Sequence, residues 1–235
     1  MSKHDDFIFR PIIKVLENSI DAISLVEEGI ESYLLNDYIM STIFIQMTGF
    51  QEQKFKCIAW ELATENYNFR RDFLKNFSSE GFSTYKSKTE LYKKINENIG
   101  EYQFSDQEKD SIIENTLNRM TDLIENSPLK SWNEPQYNDF KKSIKNNVNK
   151  KHIVTSKSVL LESSVVDIYK MLYKTRNRLA HNTTSYQRNL PELSELRDAK
   201  FGYNNFFVWY YILIIIDEVM ITLYEEFKKN IKFSF

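Results

Sequence analysis

The run Tyr173-Lys174-Thr175-Arg176-Asn177-Arg178-Leu179-Ala180-His181-Asn182 sets two guanidinium groups, a carboxamide and an imidazole at the end of an otherwise apolar helical pattern. An imidazole titrates near neutrality, so His181 can accept or donate a proton, and the negative end of a helix dipole favours its charged form. Arg176 stays charged and offers a planar fork that fits a phosphate. Together they hold the parts for moving a proton at a ribose 2'-hydroxyl and stabilising a crowded phosphoryl transition state without a metal ion. At about 100° per residue, Asn177 and His181 share a helix face, whereas Arg176 points about 140° away from His181. A single regular helix does not converge the two.

Other chemistry is thinly supplied. A single cysteine, Cys57, excludes an internal disulfide framework and a cysteine metal cluster, and fits a reducing compartment, most simply the cytoplasm. Flanked by periodic apolar residues, it reads as a small buried hydrophobe. Three histidines leave little for a zinc site, with His4 in the N-terminal tail and His152 in a lysine-rich stretch, so no metal and no cofactor are expected. Lys+Arg 31 against Asp+Glu 33 gives a formal net charge of -2, so any polyanion must be met by a local patch. The clearest patch is Lys141, Lys142 and Lys145, followed by Lys150, Lys151 and His152. It reads either as a solvated face or as an RNA phosphate contact, and no Trp or Tyr is interleaved there for base stacking. Asp217 falls within an apolar helical stripe and calls for a cation, with Arg176 or Arg178 as partner, unless it reaches solvent.

The elements that must position these groups are helical. Gly 5 and Pro 4 in 235 residues is too little punctuation for many short strands. Apolar spacing predicts a helix over about 8–35, ended by Asn36-Asp37, and a second over 38–66 in which Gly49 allows close helix packing. A loop follows from Asn76 to Ser87. A middle segment, about 78–160, carries a short helix through Leu91, Ile95 and Ile99, then a capping box of Ser105 and Glu108 opening the next helix. Pro128 and Pro135 bracket a loop, and Tyr137 to Val148 form one more helical face. Ser163 or Ser164 caps a helix through Leu179, and a last helix runs from about Tyr203 to Lys229. Its run Phe206 to Ile216 is shorter than a membrane span and reads as a buried core helix. No signal-peptide pattern opens the chain.

The stretch Arg176-Asn177-Arg178-Leu179-Ala180-His181 resembles the Arg, four to six residues, His motif of the HEPN superfamily, including the polar residue after the arginine. The resemblance covers Ser163 to Lys229 well, the first 75 residues only as helical pattern, and the middle segment not at all. It implies an all-α, HEPN-like helical bundle in one domain, with a core of about 8–77 and 161–230 and a helical insertion of about 78–160. It also implies a metal-independent endoribonuclease leaving 2',3'-cyclic phosphate, with Arg176 and His181 catalytic and Asn177 orienting. Such proteins form homodimers with a composite active site, and serve phage defence or act as toxins with an antitoxin partner. Tyr186 follows the histidine by five residues rather than two or three, which departs from the toxins paired with nucleotidyltransferase antitoxins. The alternatives are a catalytically silent RNA- or nucleotide-binding or adaptor module in a defence complex, and a helical scaffold with no nucleic-acid role.

Overall fold

A computed structural model describes residues 2–24, 30–76, 81–100, 102–181 and 205–232. In chain order the elements are α1 (Asp5–Ile8), α2 (Ile13–Ile23), α3 (Ile30–Glu65), α4 (Tyr67–Asn76), α5 (Tyr85–Asn98), α6 (Asp106–Glu125), α7 (Pro128–Trp132) and α8 (Glu134–Asn147). The strands β1 (Ile153–Ser156) and β2 (Val159–Leu161) follow, then α9 (Ser163–His181) and α10 (Phe206–Lys232). The chain is mainly α-helical.

The centre is α10, which packs against α3, α5, α6, α8 and α9. A helix apolar all round has no face for water, and Phe207 to Asp217 are all buried. Each such aliphatic or aromatic side chain contributes about 1.5–3 kcal/mol. Its polar tips find partners: Tyr210 Oη donates to Met40 O at 2.8 Å, and Tyr211 Oη to Ile113 O at 3.2 Å. Asn205 caps the helix, its Oδ1 accepting from Phe207 N at 2.9 Å. The stretch Phe206–Asn230 is long and apolar enough to cross a membrane, yet 83% of its most apolar window is buried inside the fold, as in a core helix. Residues of the middle segment, among them Leu91, Ile95, Met120, Ile124 and Phe140, join the same hydrophobic cluster as Leu16, Phe44 and Ile214.

Several local expectations are overturned. The first helix is not continuous over 8–35: Pro11 separates α1 from α2, because proline lacks a donor and disfavours helical geometry at Arg10. Asn36-Asp37 does not end a helix but lies inside α3. Asn36 is buried instead, its amide donating to Asn133 Oδ1 at 2.8 Å and accepting from Asn133 Nδ2 at 2.6 Å. Tertiary pairing here outweighs a local stop signal. Gly49 brings no helix close, since a Cβ there would meet nothing within 4 Å. Pro128 and Pro135 sit in the first turns of α7 and α8 rather than bracketing a loop. The cap of α9 is Glu162, whose carboxylate accepts from Ser164 N at 2.8 Å, so Ser163 and Ser164 are donors to the cap. Their hydrogen bonds hold the Glu162 carboxyl down to about 2.

The hairpin β1–β2 was not expected. It is antiparallel, pairing Ile153 with Leu161 and Ser156 with Val159 around a register shift. Val154 sits at φ 47°, a left-handed conformation that a β-branched residue rarely adopts. Hydroxyl and amide groups of α5 clamp the hairpin: Tyr85 Oη to Leu161 O at 3.0 Å, Tyr92 Oη to Ser156 O at 2.9 Å and Asn96 Nδ2 to Lys157 O at 3.2 Å.

Candidate functional site

The apolar stripe of α9, Val165, Ile168, Tyr169 and Leu172, faces the core and leaves its C-terminal turns half-buried at the surface. Arg176 emerges there with 21% of its side chain exposed. Its Nη2 lies 3.2 Å from Glu52 Oε2 of α3, and its Nη1 donates to Asn177 Oδ1 at 3.1 Å. Glu52 also meets Lys56 one turn along, Oε1 to Nζ 2.9 Å. Gly81, ahead of α5, lies over this carboxylate: a Cβ there would come within 2.0 Å of Glu52 Oε1. Arg178 and Asn177 are half-buried beside Arg176. His181 is the last described residue of α9, and its side chain, like Asn182, Tyr186 and Tyr203, lies outside the described residues. Both residues belong to α9, and five positions of an α-helix place them about 140° apart round its axis.

Beneath the Arg176–Glu52 pair lies a fully buried ammonium. Lys88 of α5 donates from Nζ to Gln51 Oε1 at 2.6 Å and stands 4.5 Å from the Phe55 ring centroid and 5.9 Å from that of Tyr169. Gln51 Nε2 passes the chain on to Leu213 O of α10 at 2.8 Å. Burial brings the Lys88 ammonium down to about 7, against the opposing fields of Glu52 and Asp217. Burial also raises the Tyr169 phenol, whose Oη donates to Ser83 O at 2.9 Å.

Asp217 requires a correction. It is fully buried, and its cation is neither Arg176 nor Arg178 but Lys54 of α3, with Nζ 2.7 Å from Oδ1 and 2.8 Å from Oδ2. Lys54 also donates to Arg10 O at 2.6 Å, and Ile12 N donates to Asp217 Oδ2 at 2.8 Å. Burial pushes the Asp217 carboxyl up and the Lys54 ammonium down, and their mutual contact opposes both. This pair ties α2, α3 and α10 together.

The lysine patch is partly neutralised. Lys141 meets Glu125 at 2.6 Å, and Lys150 meets Asp110 at 2.8 Å and Asp106 at 3.9 Å. Lys142, Lys145 and Lys151 remain exposed; Lys145, Lys150 and Lys151 edge a cleft of about 530 Å³ that they share with Asp110 and Glu114. His4 is not in a loose tail: its Nδ1 lies 2.7 Å from Glu61 Oε1. His152 Nδ1 accepts from Asn149 N at 3.2 Å. Cys57 is buried, and burial pushes its thiol up. Among the described residues, no group of three or more His, Cys, Asp or Glu comes together in a way that could hold a metal ion.

Comparison with known proteins finds no matching family model, no matching curated protein and no matching solved structure. The site therefore rests on its own geometry. Sequence reasoning missed Glu52, Lys56, Gln51 and Lys88. The spacing of Glu52 and Lys56 is a readable i, i+4 pair. The meeting of Glu52 with Arg176 across 124 residues left no local signal.

Proposed function

We propose that the chain is a metal-independent endoribonuclease of HEPN type, acting as a homodimer with a composite site. The observation that carries this reading is Arg176: a guanidinium at the polar end of a core helix, anchored on one edge by Glu52 and partly open to solvent, five residues before His181. An arginine so held is pre-oriented, so little side-chain entropy is lost when a phosphate docks on it. In the reaction His181 takes the 2'-hydroxyl proton and the 2'-oxygen attacks phosphorus. The P–O5' bond then breaks, leaving a 2',3'-cyclic phosphate and a 5'-hydroxyl. The departing oxygen is protonated by water or by the histidine of the second protomer, and Arg176 balances the charge on the phosphoryl oxygens. Such an activity suits a cytoplasmic phage-defence or toxin role, with an antitoxin or another defence component as partner.

The test is RNA cleavage in EDTA by the wild type, Arg176→Ala and His181→Ala. Each substitution is expected to reduce cleavage by about 10²–10⁴-fold while the helical circular dichroism persists. DNA should remain intact for want of the 2'-hydroxyl. Cleavage indifferent to both substitutions removes the assignment.

The 140° divergence of Arg176 from His181 within one helix favours a second reading, a catalytically silent module that binds RNA or nucleotide, or serves as an adaptor in a defence complex. Salt-dependent RNA binding with no cleavage between pH 5 and 9 would select it.

A further inference from the structure

The large hydrophobic residues exposed among those described are Leu35, Tyr38, Trp60, Tyr67 and Val159. Trp60 is 66% exposed, whereas Trp132 and Trp209 are buried, at 7% and 1%. An indole left in water forgoes about 2 kcal/mol or more of burial, which singles out this position. Trp60 also stands next to the candidate site. On α3, Glu52, Lys56 and Trp60 follow one another at four-residue steps, each turned only about 40° from the last, so they form one stripe on the helix surface. Arg176 closes onto the first of them and Lys56 is the second. Trp60 lies about 12 Å along the helix axis from Glu52. Beyond it, Asn66 ends α3 and caps α4, its Oδ1 accepting from Phe69 N at 2.9 Å, and there Tyr67 is 68% exposed with the Arg70 guanidinium 5.5 Å from its ring centroid. Carboxylates do not interrupt the stripe past Glu52. Glu61 is buried and engaged by His4, and Glu65 is turned about 140° round the helix from Trp60.

We propose that Lys56 and Trp60 of α3, continued by Tyr67 and Arg70 of α4, form a track on which unpaired bases of single-stranded RNA stack beside the phosphate held at Arg176. This rests on the ribonuclease reading and names its substrate class. Cations flanking exposed rings are what a single strand needs: the cations follow the phosphates, and the rings take base faces without regard to sequence. A duplex buries its base faces and cannot use the rings. The α8 lysines Lys141, Lys142 and Lys145 present charge without an exposed ring among them. The track therefore selects RNA that is unpaired on one side of the scissile bond.

The test follows Trp60 emission in full-length His181→Ala protein, which leaves RNA uncut, during titration with a 12-nucleotide oligouridylate and with a duplex of equal length. The two other tryptophans are buried, so quenching by RNA reports Trp60. The single strand is expected to quench and the duplex to leave emission unchanged. In the same background, Trp60→Ala should weaken single-strand affinity by roughly tenfold and Tyr67→Ala by roughly fivefold, with unchanged circular dichroism. Equal quenching by both nucleic acids, affinity unmoved by Trp60→Ala, or no RNA binding at all overturns the track. Emission that shifts with protein concentration in the absence of RNA also overturns it and marks the stripe as a contact between copies. Failure of the ribonuclease reading shows separately, as wild-type cleavage surviving Arg176→Ala and His181→Ala.

Discussion

Lys54 and Lys88 are both excluded from solvent within one core, and they differ in what faces the ammonium. Lys54 meets a carboxylate, Asp217, and a backbone carbonyl, Arg10 O. Lys88 meets a carboxamide oxygen, Gln51 Oε1, and the faces of Phe55 and Tyr169. An ion pair returns part of the desolvation cost of each partner, so the first lysine works as a strut between α2, α3 and α10. A neutral acceptor returns less, which leaves the second lysine titrating at about 7. A charge that can change near neutrality therefore lies within the electrostatic reach of Glu52 and Arg176.

The contrast can be broken most severely at the strut. Asp217→Ala leaves Lys54 buried without its carboxylate and should cost about 3–5 kcal/mol in urea unfolding. Replacing both partners, Lys54→Met with Asp217→Leu, should regain most of it, since no unpaired charge remains. A double variant as unstable as the single one would show that the pair contributes packing rather than charge balance.

Lys88 should respond to pH. Its folded value lies below that of an unfolded lysine, so between about pH 7 and 10 the unfolded chain holds one more proton at this position and stability rises with pH. Below about pH 7 both states are protonated and the full penalty of the buried charge is present. Urea midpoints for the wild type relative to Lys88→Met should therefore diverge between pH 7 and 9 by on the order of 1–2 kcal/mol, in favour of the wild type at the higher pH. Parallel profiles would place Lys88 in contact with a counter-charge.

Glu52→Gln sharpens the comparison from the site's side. Arg176 loses its anchor, and about 1 kcal/mol of stability should go with it, because the pair is only partly exposed. RNA affinity, measured by anisotropy with His181→Ala protein, should fall a few-fold as the guanidinium loses the contact that pre-orients it. The smallest effects belong to the α8 patch. Lys141→Ala and Lys150→Ala each break an exposed pair, and should leave the urea midpoint essentially unchanged and change single-strand RNA affinity by less than about twofold.

How much of this could be read in advance depended on range. The Ser105–Glu108 capping box forms as read, because its donors and acceptors are three residues apart. The buried character of α10 followed from an apolar run with no polar face. Asn36-Asp37 misled because a stop signal is weak, and Asn133 supplies a buried partner 97 residues away. The hairpin was missed because Ile153 to Leu161 contains no glycine or proline to mark a turn, and α5 supplies the clamps. Asp217 was rightly seen to need a cation, but an apolar stripe says nothing about which of 31 lysines and arginines arrives.

Helical periodicity, caps and the count of cysteines and histidines were set by the sequence alone, since they depend on neighbours within a turn or on composition. The pairing of Arg176 with Glu52, of Lys54 with Asp217, and the placing of Lys88 beneath the site were decided only by tertiary structure. Charge and hydrogen-bond partners are chosen by proximity in space, and a helical residue's sequence neighbours do not say which distant helix packs against it.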